Sequence, residues 1–204
     1  MSDHGAPLRE QDVDADPERQ FAAWFAAAEA AGIRMPEAAA LATASREGAP
    51  SVRMVLVKGF ADGSFRFYSN YASRKGRELA ANPQAALLFH WDPLGRQVRI
   101  EGPVERMTPE ASAEYVRTRP RGSRLSALAS PQSEVIDSRA ELERRVAELE
   151  RTYGGDELPL SAEWGGFRLI AETFEFWQQR DDRLHDRLRY RRANGAWLIE
   201  RLAP

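Results

Sequence analysis

Basic side chains recur at four places in this chain, each beside groups that can hold a small anion. In SRKGREL (residues 73–79), Arg74 and Lys75 follow a serine placed to cap a helix. Cations at the positive end of a helix dipole are unfavourable unless an anion joins them, and free backbone N–H groups there attract phosphate. In RMVLVK (residues 53–58), Arg53 and Lys58 fall on opposite faces of an extended chain and can serve two different anions. In YVRTRPRGS (residues 115–123), Tyr115 and Arg119 are one helical turn apart, Pro120 ends the helix, and Ser123 is expected in the following loop. Hydroxyl, guanidinium and hydroxyl together make a phosphate ligand set. In RLHDRLRYRR (residues 183–192), Arg183, His185 and Arg187 alternate, as one face of a strand does, and Arg189 and Arg191 continue that face. Such a face repels itself unless something negative neutralises it, with Asp186, Glu172 and Glu175 as candidates.

Each pattern also has a plainer explanation: snorkelling strand cations, basic residues at the negative end of a helix, a solvated strand face. Composition narrows the choice. The chain has 204 residues, 29 Lys and Arg against 31 Asp and Glu, and a formal net charge of −2. The basic sites are separated by acidic segments, so no track exists to release counterions from a polyanion, and no nucleic-acid partner is expected. There are no cysteines and only three scattered histidines. Thiolate chemistry and Cys-ligated zinc are thereby excluded, and no metal site is expected. A polar, acidic start and the lack of a long apolar run predict neither a secretory signal nor a membrane span, which fits a cytoplasmic protein. What remains is an α+β protein that binds one or more phosphorylated small molecules.

The elements that must position these residues are legible. Residues 1–15 read as a flexible arm and 16–204 as a single domain. Asp16-Pro17 opens a helix whose Phe21, Trp24, Phe25 and Ala28 share one face, and Gly32 ends it. The period then changes to two. Asp62-Gly63, the DPLG of residues 92–95 and Asn194-Gly195 mark tight hairpins. Short helices are predicted at 73–81, from Thr108 to Arg119, and from the capping box Ser138-x-x-Glu141 to Tyr153, the last as a solvated surface helix. The tail returns to strands in FRLIAETFEFW, RLRYRR and AWLIERL. Seven or eight strands joined by hairpins imply a mostly antiparallel sheet, closed as a barrel or, alternatively, left as an open α+β sheet.

Taken in order, RMVLVK, FYSNYASRKGREL, RQVRIEGPVERM, RPRGS, SPQSEVI, WGGFR, EFWQ and RLHDRLRYRR resemble the pyridoxamine 5′-phosphate oxidase family over nearly the whole chain. The resemblance implies the FMN-binding split β-barrel with short peripheral helices, and a homodimer holding FMN at its interface. It implies oxidation of pyridoxamine or pyridoxine 5′-phosphate, the phosphorylated B6 vitamers, to pyridoxal 5′-phosphate, with O2 as acceptor. A related flavin oxidase of the phenazine-pathway type and a non-catalytic FMN or pyridoxal phosphate binder are its alternatives. By the same resemblance, Arg53, Tyr68, Ser69, Arg74, Lys75, Gln97, Gln132, Ser133, Trp177 and Arg187 contact FMN, partly from the second subunit. The stretch Met54, Val55, Leu56, Val57, Lys58 runs along the flavin. Lys58, Tyr115, Arg119 and Ser123 cradle the substrate phosphate, and Arg183 and His185 orient the substrate ring as the catalytic pair. One departure is Gln179, where the family usually has a glycine, so the approach to Arg183 is expected to differ.

Overall fold

The computed structural model describes residues 7–155 and 157–204. The period-two stretches form nine strands among them: β1 Ala38–Ala44, β2 Pro50–Ala61, β3 Ser64–Asn70, β4 Gln84–Trp91, β5 Arg96–Arg106, β6 Trp164–Ile170, β7 Thr173–Gln178, β8 Asp186–Ala193 and β9 Ala196–Arg201. Every pairing is antiparallel. The order β4-β1-β2-β3-β6-β5, with β4 also paired to β5, closes a six-stranded barrel. Strand β5 is where it splits. Val104–Arg106 pair with β6 inside the ring, whereas Arg96–Glu101 pair with β7, which carries β8 and β9 outward. The hairpins turn at Asp62-Gly63 and Asn194-Gly195, all four residues at positive φ as tight two-residue turns require.

Alternate residues point inward and make an aromatic core of Phe65, Phe67, Phe89, Phe174 and Phe176, with Leu41, Leu87 and Ile100. Helix α1 (Pro17–Ala30), capped by the Asp16 side chain, packs Phe21 edge-on against Phe60, Phe65 and Phe89 at 4.8–5.0 Å. Burying each such ring contributes roughly 1.5–3 kcal/mol. Ser73, Thr108 and Ser138 cap α2 (Arg74–Ala81), α3 (Pro109–Thr118) and, beyond α4 (Arg121–Ala129), α5 (Arg139–Thr152).

Several expectations are corrected. Ser123 is not in a loop: Pro120 ends α3 and at the same time precedes α4, whose first turn holds Ser123. FRLIAETFEFW is two strands, because Ala171 and Glu172 turn aside to bond Gly63 and Glu101. Arg183 is not on a strand face with Arg187. Residues Asp181–Arg183 form a 3-10 turn with Asp182 and Arg183 at φ +55° and +62°, and β8 begins only at Asp186. Glu175 and Glu200 neutralise the arginine face: Arg187 pairs with Glu175, and Arg189 and Arg191 each engage one oxygen of Glu200. Residues 1–6 of the expected flexible arm lie outside the described residues. Of the remainder, Leu8 is buried, its N–H donates to Asp186, and Glu10 pairs with Arg201, so this part is docked against β8 and β9.

Candidate active site

Three residues separate the end of β3 from helix α2, whose first turn comes to face β2. The result is a cleft of about 440 Å³ lined by Arg53, Met54 and Val55 of β2, Tyr68 and Ser69 of β3, Arg74 and Lys75 of α2, and Gln132 and Ser133 of the loop after α4. Nine residues expected at the cofactor are thus brought together. Lys75 is only 8% exposed. Its Nζ donates to Ser69 Oγ at 3.0 Å, Gln132 Oε1 at 3.2 Å and Ser73 Oγ at 3.3 Å, and no carboxylate among the described residues pairs with it. Burial, with Arg53 adding repulsion, pushes the Lys75 ammonium down to about 8. Buried charge without a counter-ion is costly. Hydroxyls, an amide and three cations around one cleft are the donor set a phosphate needs. The residues present therefore fit the phosphate end of FMN. Leu56 and Val57 continue β2 beyond the cleft, Leu56 exposed and Val57 in the core.

A second cavity of about 760 Å³ adjoins, with Gln132 lining both. Arg119 and Ser123 line it together with Asn70 and Trp164. The Arg119 guanidinium lies 4.3 Å over the Trp164 ring, and its buried Nη1 has no hydrogen-bond partner among the described residues. Burial holds this guanidinium below its usual pKa. A buried donor left unpaired is costly. Tyr115 stacks on Tyr68 at 3.7 Å between ring centres, which ties α3 to the wall of the first cleft. Lys58 is not brought to this cavity; it pairs with Glu37 at 3.3 Å.

The remaining predicted residues form a separate group. Gln97, Trp177 and Arg187 are directly opposite one another across β5, β7 and β8, so they make one row on one sheet face. His185 packs on Trp177 at 4.6 Å, and its Nδ1 accepts the Arg180 backbone N–H, so a neutral ring carries its proton on Nε2. Arg183 projects from the turn just before. None of these five lines either cavity. Trp164, Asn70 and Glu78 are site or supporting residues that the sequence reading missed. Trp164 stood in the WGGFR motif, and Glu78 stands four residues after Arg74, the spacing of a helical ion pair.

A barrel split along β5, with a cation-lined cleft on its wall, defines the class: an antiparallel split-barrel protein whose cleft carries donors that suit a phosphate. Residues 25–153 match the family model described as pyridoxamine 5′-phosphate oxidase, and residues 164–204 match that of the pyridoxine 5′-phosphate oxidase C-terminal dimerisation region. The chain belongs to the pyridoxamine 5′-phosphate oxidase family of FMN-binding oxidoreductases. The pyridoxine/pyridoxamine 5′-phosphate oxidase of Salinibacter ruber is 54% identical over 202 residues, covering 98% of this chain and 94% of that one. The enzyme of the same name from Rubrobacter xylanophilus is 53% identical, covering 98% and 92%. Among solved structures, PhzG from Burkholderia lata 383 in complex with tetrahydrophenazine-1-carboxylic acid superposes with a TM-score of 0.91 at 32% identity, covering 98% of this chain and all of that one. No helix among the described residues is long and apolar enough to cross a membrane.

Proposed function

We propose that this chain is an FMN-dependent oxidase that converts pyridoxamine 5′-phosphate and pyridoxine 5′-phosphate to pyridoxal 5′-phosphate. The alcohol and O2 give the aldehyde and hydrogen peroxide; the amine additionally takes up water and releases ammonia. The observation that carries the reading is Lys75, a buried ammonium without a carboxylate partner at a cleft it shares with Arg53 and Arg74. Bound FMN supplies the two-electron acceptor for the hydride leaving substrate C4′.

The protein supplies binding and orientation. Lys75, Arg53 and Arg74 hold the cofactor phosphate; Ser69, Gln132 and Ser133 complete its hydrogen bonds, with the β2 backbone from Met54 to Lys58 alongside the ring. Arg119, with Ser123 and Tyr115, offers donors to the substrate phosphate, and Lys58 reaches it by leaving Glu37. Arg183 and His185 orient the pyridine ring, His185 donating from Nε2. In this reading, Gln97, Trp177, Arg183, His185 and Arg187 act in the site of a partner subunit in a homodimer. Their separation from both cavities within one chain supports that arrangement, as does the match to a dimerisation region.

The resemblance to PhzG favours a second reading, a flavin oxidase acting on a phenazine precursor. The greater identity to the B6-phosphate enzymes and the Arg119 guanidinium and Ser123 hydroxyl at the second cavity weigh toward a phosphorylated substrate. The experiment is to load the purified protein with FMN and supply each phosphorylated B6 vitamer under air. Pyridoxal 5′-phosphate and peroxide should appear in equal amounts. Failure to bind FMN, or no turnover of either substrate, would overturn the reading.

A further inference from the structure

Glu78 lines neither cavity, yet it is among the most tightly held carboxylates in the fold. It is 7% exposed and sits behind the cofactor cleft on α2. Its two oxygens are divided between two cations: Oε1 accepts from Arg74 Nε at 2.8 Å, and Oε2 accepts from Arg53 Nη2 at 3.2 Å. Oε2 also accepts from the hydroxyls of Thr43 and Ser51, which are directly paired across β1 and β2. Arg53 in turn donates to Thr43, Ser51 and the Leu41 carbonyl. Burial alone would raise the Glu78 carboxyl, but the hydrogen bonds from Ser51, Thr43, Arg74 and Arg53 outweigh it and bring it down to about 2. The carboxylate therefore stays ionised throughout the range in which enzymes of this kind are handled.

We propose that Glu78 is the positioning residue of the cofactor-phosphate subsite: it aims Arg53 and Arg74 into the cleft and sets the subsite's charge to match a phosphate dianion. This inference rests on the FMN reading of the cleft. Three cations and one carboxylate leave a net charge of +2, equal and opposite to a fully ionised phosphate monoester. Without Glu78, Arg53, Arg74 and Lys75 would repel one another, and the arginine side chains would lose the acceptor that fixes their forks. Preorganised donors bind better than equally charged mobile ones, because the ordering cost has already been met on folding.

The test compares FMN with riboflavin, which lacks the phosphate, by quenching of flavin fluorescence on binding to the apoprotein. In wild type, FMN should bind more tightly than riboflavin. If it does not, the reading of the cleft as a phosphate subsite fails, independently of Glu78. In Glu78→Gln, the amide keeps one acceptor oxygen and turns an NH2 donor toward the other arginine, so only one of Arg53 and Arg74 retains its partner, and FMN affinity should fall by about tenfold or more while riboflavin affinity changes by less than about threefold. Glu78→Asp keeps the charge but is too short to span both arginines; it should show the same FMN-selective loss to a smaller degree, and carries the test should Glu78→Gln fail to fold. Equal weakening of both flavins would mean a general structural role, and unchanged or tighter FMN binding would mean that Glu78 does not aim the arginines. Either result overturns the proposal.

Discussion

The side chain that most distinguishes this site from an ordinary barrel surface is Lys75. Burial and the nearby Arg53 hold its ammonium down at about 8, against an ordinary value of 10.5. The sign follows from linkage. Between those two values the unfolded chain binds more protons than the folded one, so the stability contributed by this group rises with pH across that window. A phosphate dianion beside Lys75 favours the charged form and reverses the shift. FMN binding at about pH 9 should therefore take up a proton, seen as a dependence of calorimetric binding enthalpy on the buffer's ionisation enthalpy. The dependence should vanish in Lys75→Met. Its absence from wild type would mean that the phosphate does not sit at Lys75. The anomaly of Arg74 and Lys75 at a helix N-terminus was legible in the sequence, and the structure resolves half of it within the chain. Glu78 pairs with Arg74 and Arg53, and no carboxylate among the described residues pairs with Lys75. That division could not be read from the sequence, since it depends on which way each side chain leaves the first turn.

At the scale of elements, the cleft depends on how closely α2 docks on the end of β3. Gly76 allows it: a Cβ there would lie 2.2 Å from the Tyr71 carbonyl oxygen and 2.8 Å from that of Asn70. In a free helix, Gly→Ala stabilises by up to about 1 kcal/mol. Here the sign should invert. Gly76→Ala should cost about 2 kcal/mol or more, read from denaturant unfolding, and should weaken FMN binding because Arg74 and Lys75 move with the helix. Elements with side-chain caps and turn dipeptides were legible: Asp16, Ser73, Thr108 and Ser138 each mark a helix start, and Asp62-Gly63 a hairpin. Helix α4 was not, because Pro120 offers no side-chain cap and reads equally well as the end of α3. The turn at Asp182 and Arg183 was hidden by alternating residue types that suit a strand; nothing local in those residues announces positive φ at two successive non-glycines.

At the scale of the whole molecule, one chain carries the predicted site residues in two separate sets. One surrounds the clefts beside α2 and α4; the other lies along β5, β7 and β8 and in the turn before β8. The split along β5 is what sets them apart, since it carries β7–β9 away from the closed ring. The antiparallel barrel was legible from period-two stretches and hairpin signals. The proposed partition of the site between subunits was not, because periodicity within a chain says nothing of what faces a second copy. The family resemblance supplied that expectation, and the separation of the two groups gives it a geometric reason. The exposed apolar side chains of β2, Val52 at 68% and Met54 at 64%, lie on the first cleft itself and fit a surface that a partner subunit covers.

The measurement that tests this account most directly is complementation between two inactive variants. Lys75→Met disables one set of residues and His185→Ala the other, and each variant alone should oxidise pyridoxine 5′-phosphate very slowly. After mixing, co-refolding and loading with FMN, random pairing makes half of the dimers hybrids, each with one site built from two intact sets. Activity should then return to about a quarter of the wild-type rate. A mixture that stays as inactive as its components, although hybrids form, would contradict the claim that the two sets complete one oxidase site across two subunits.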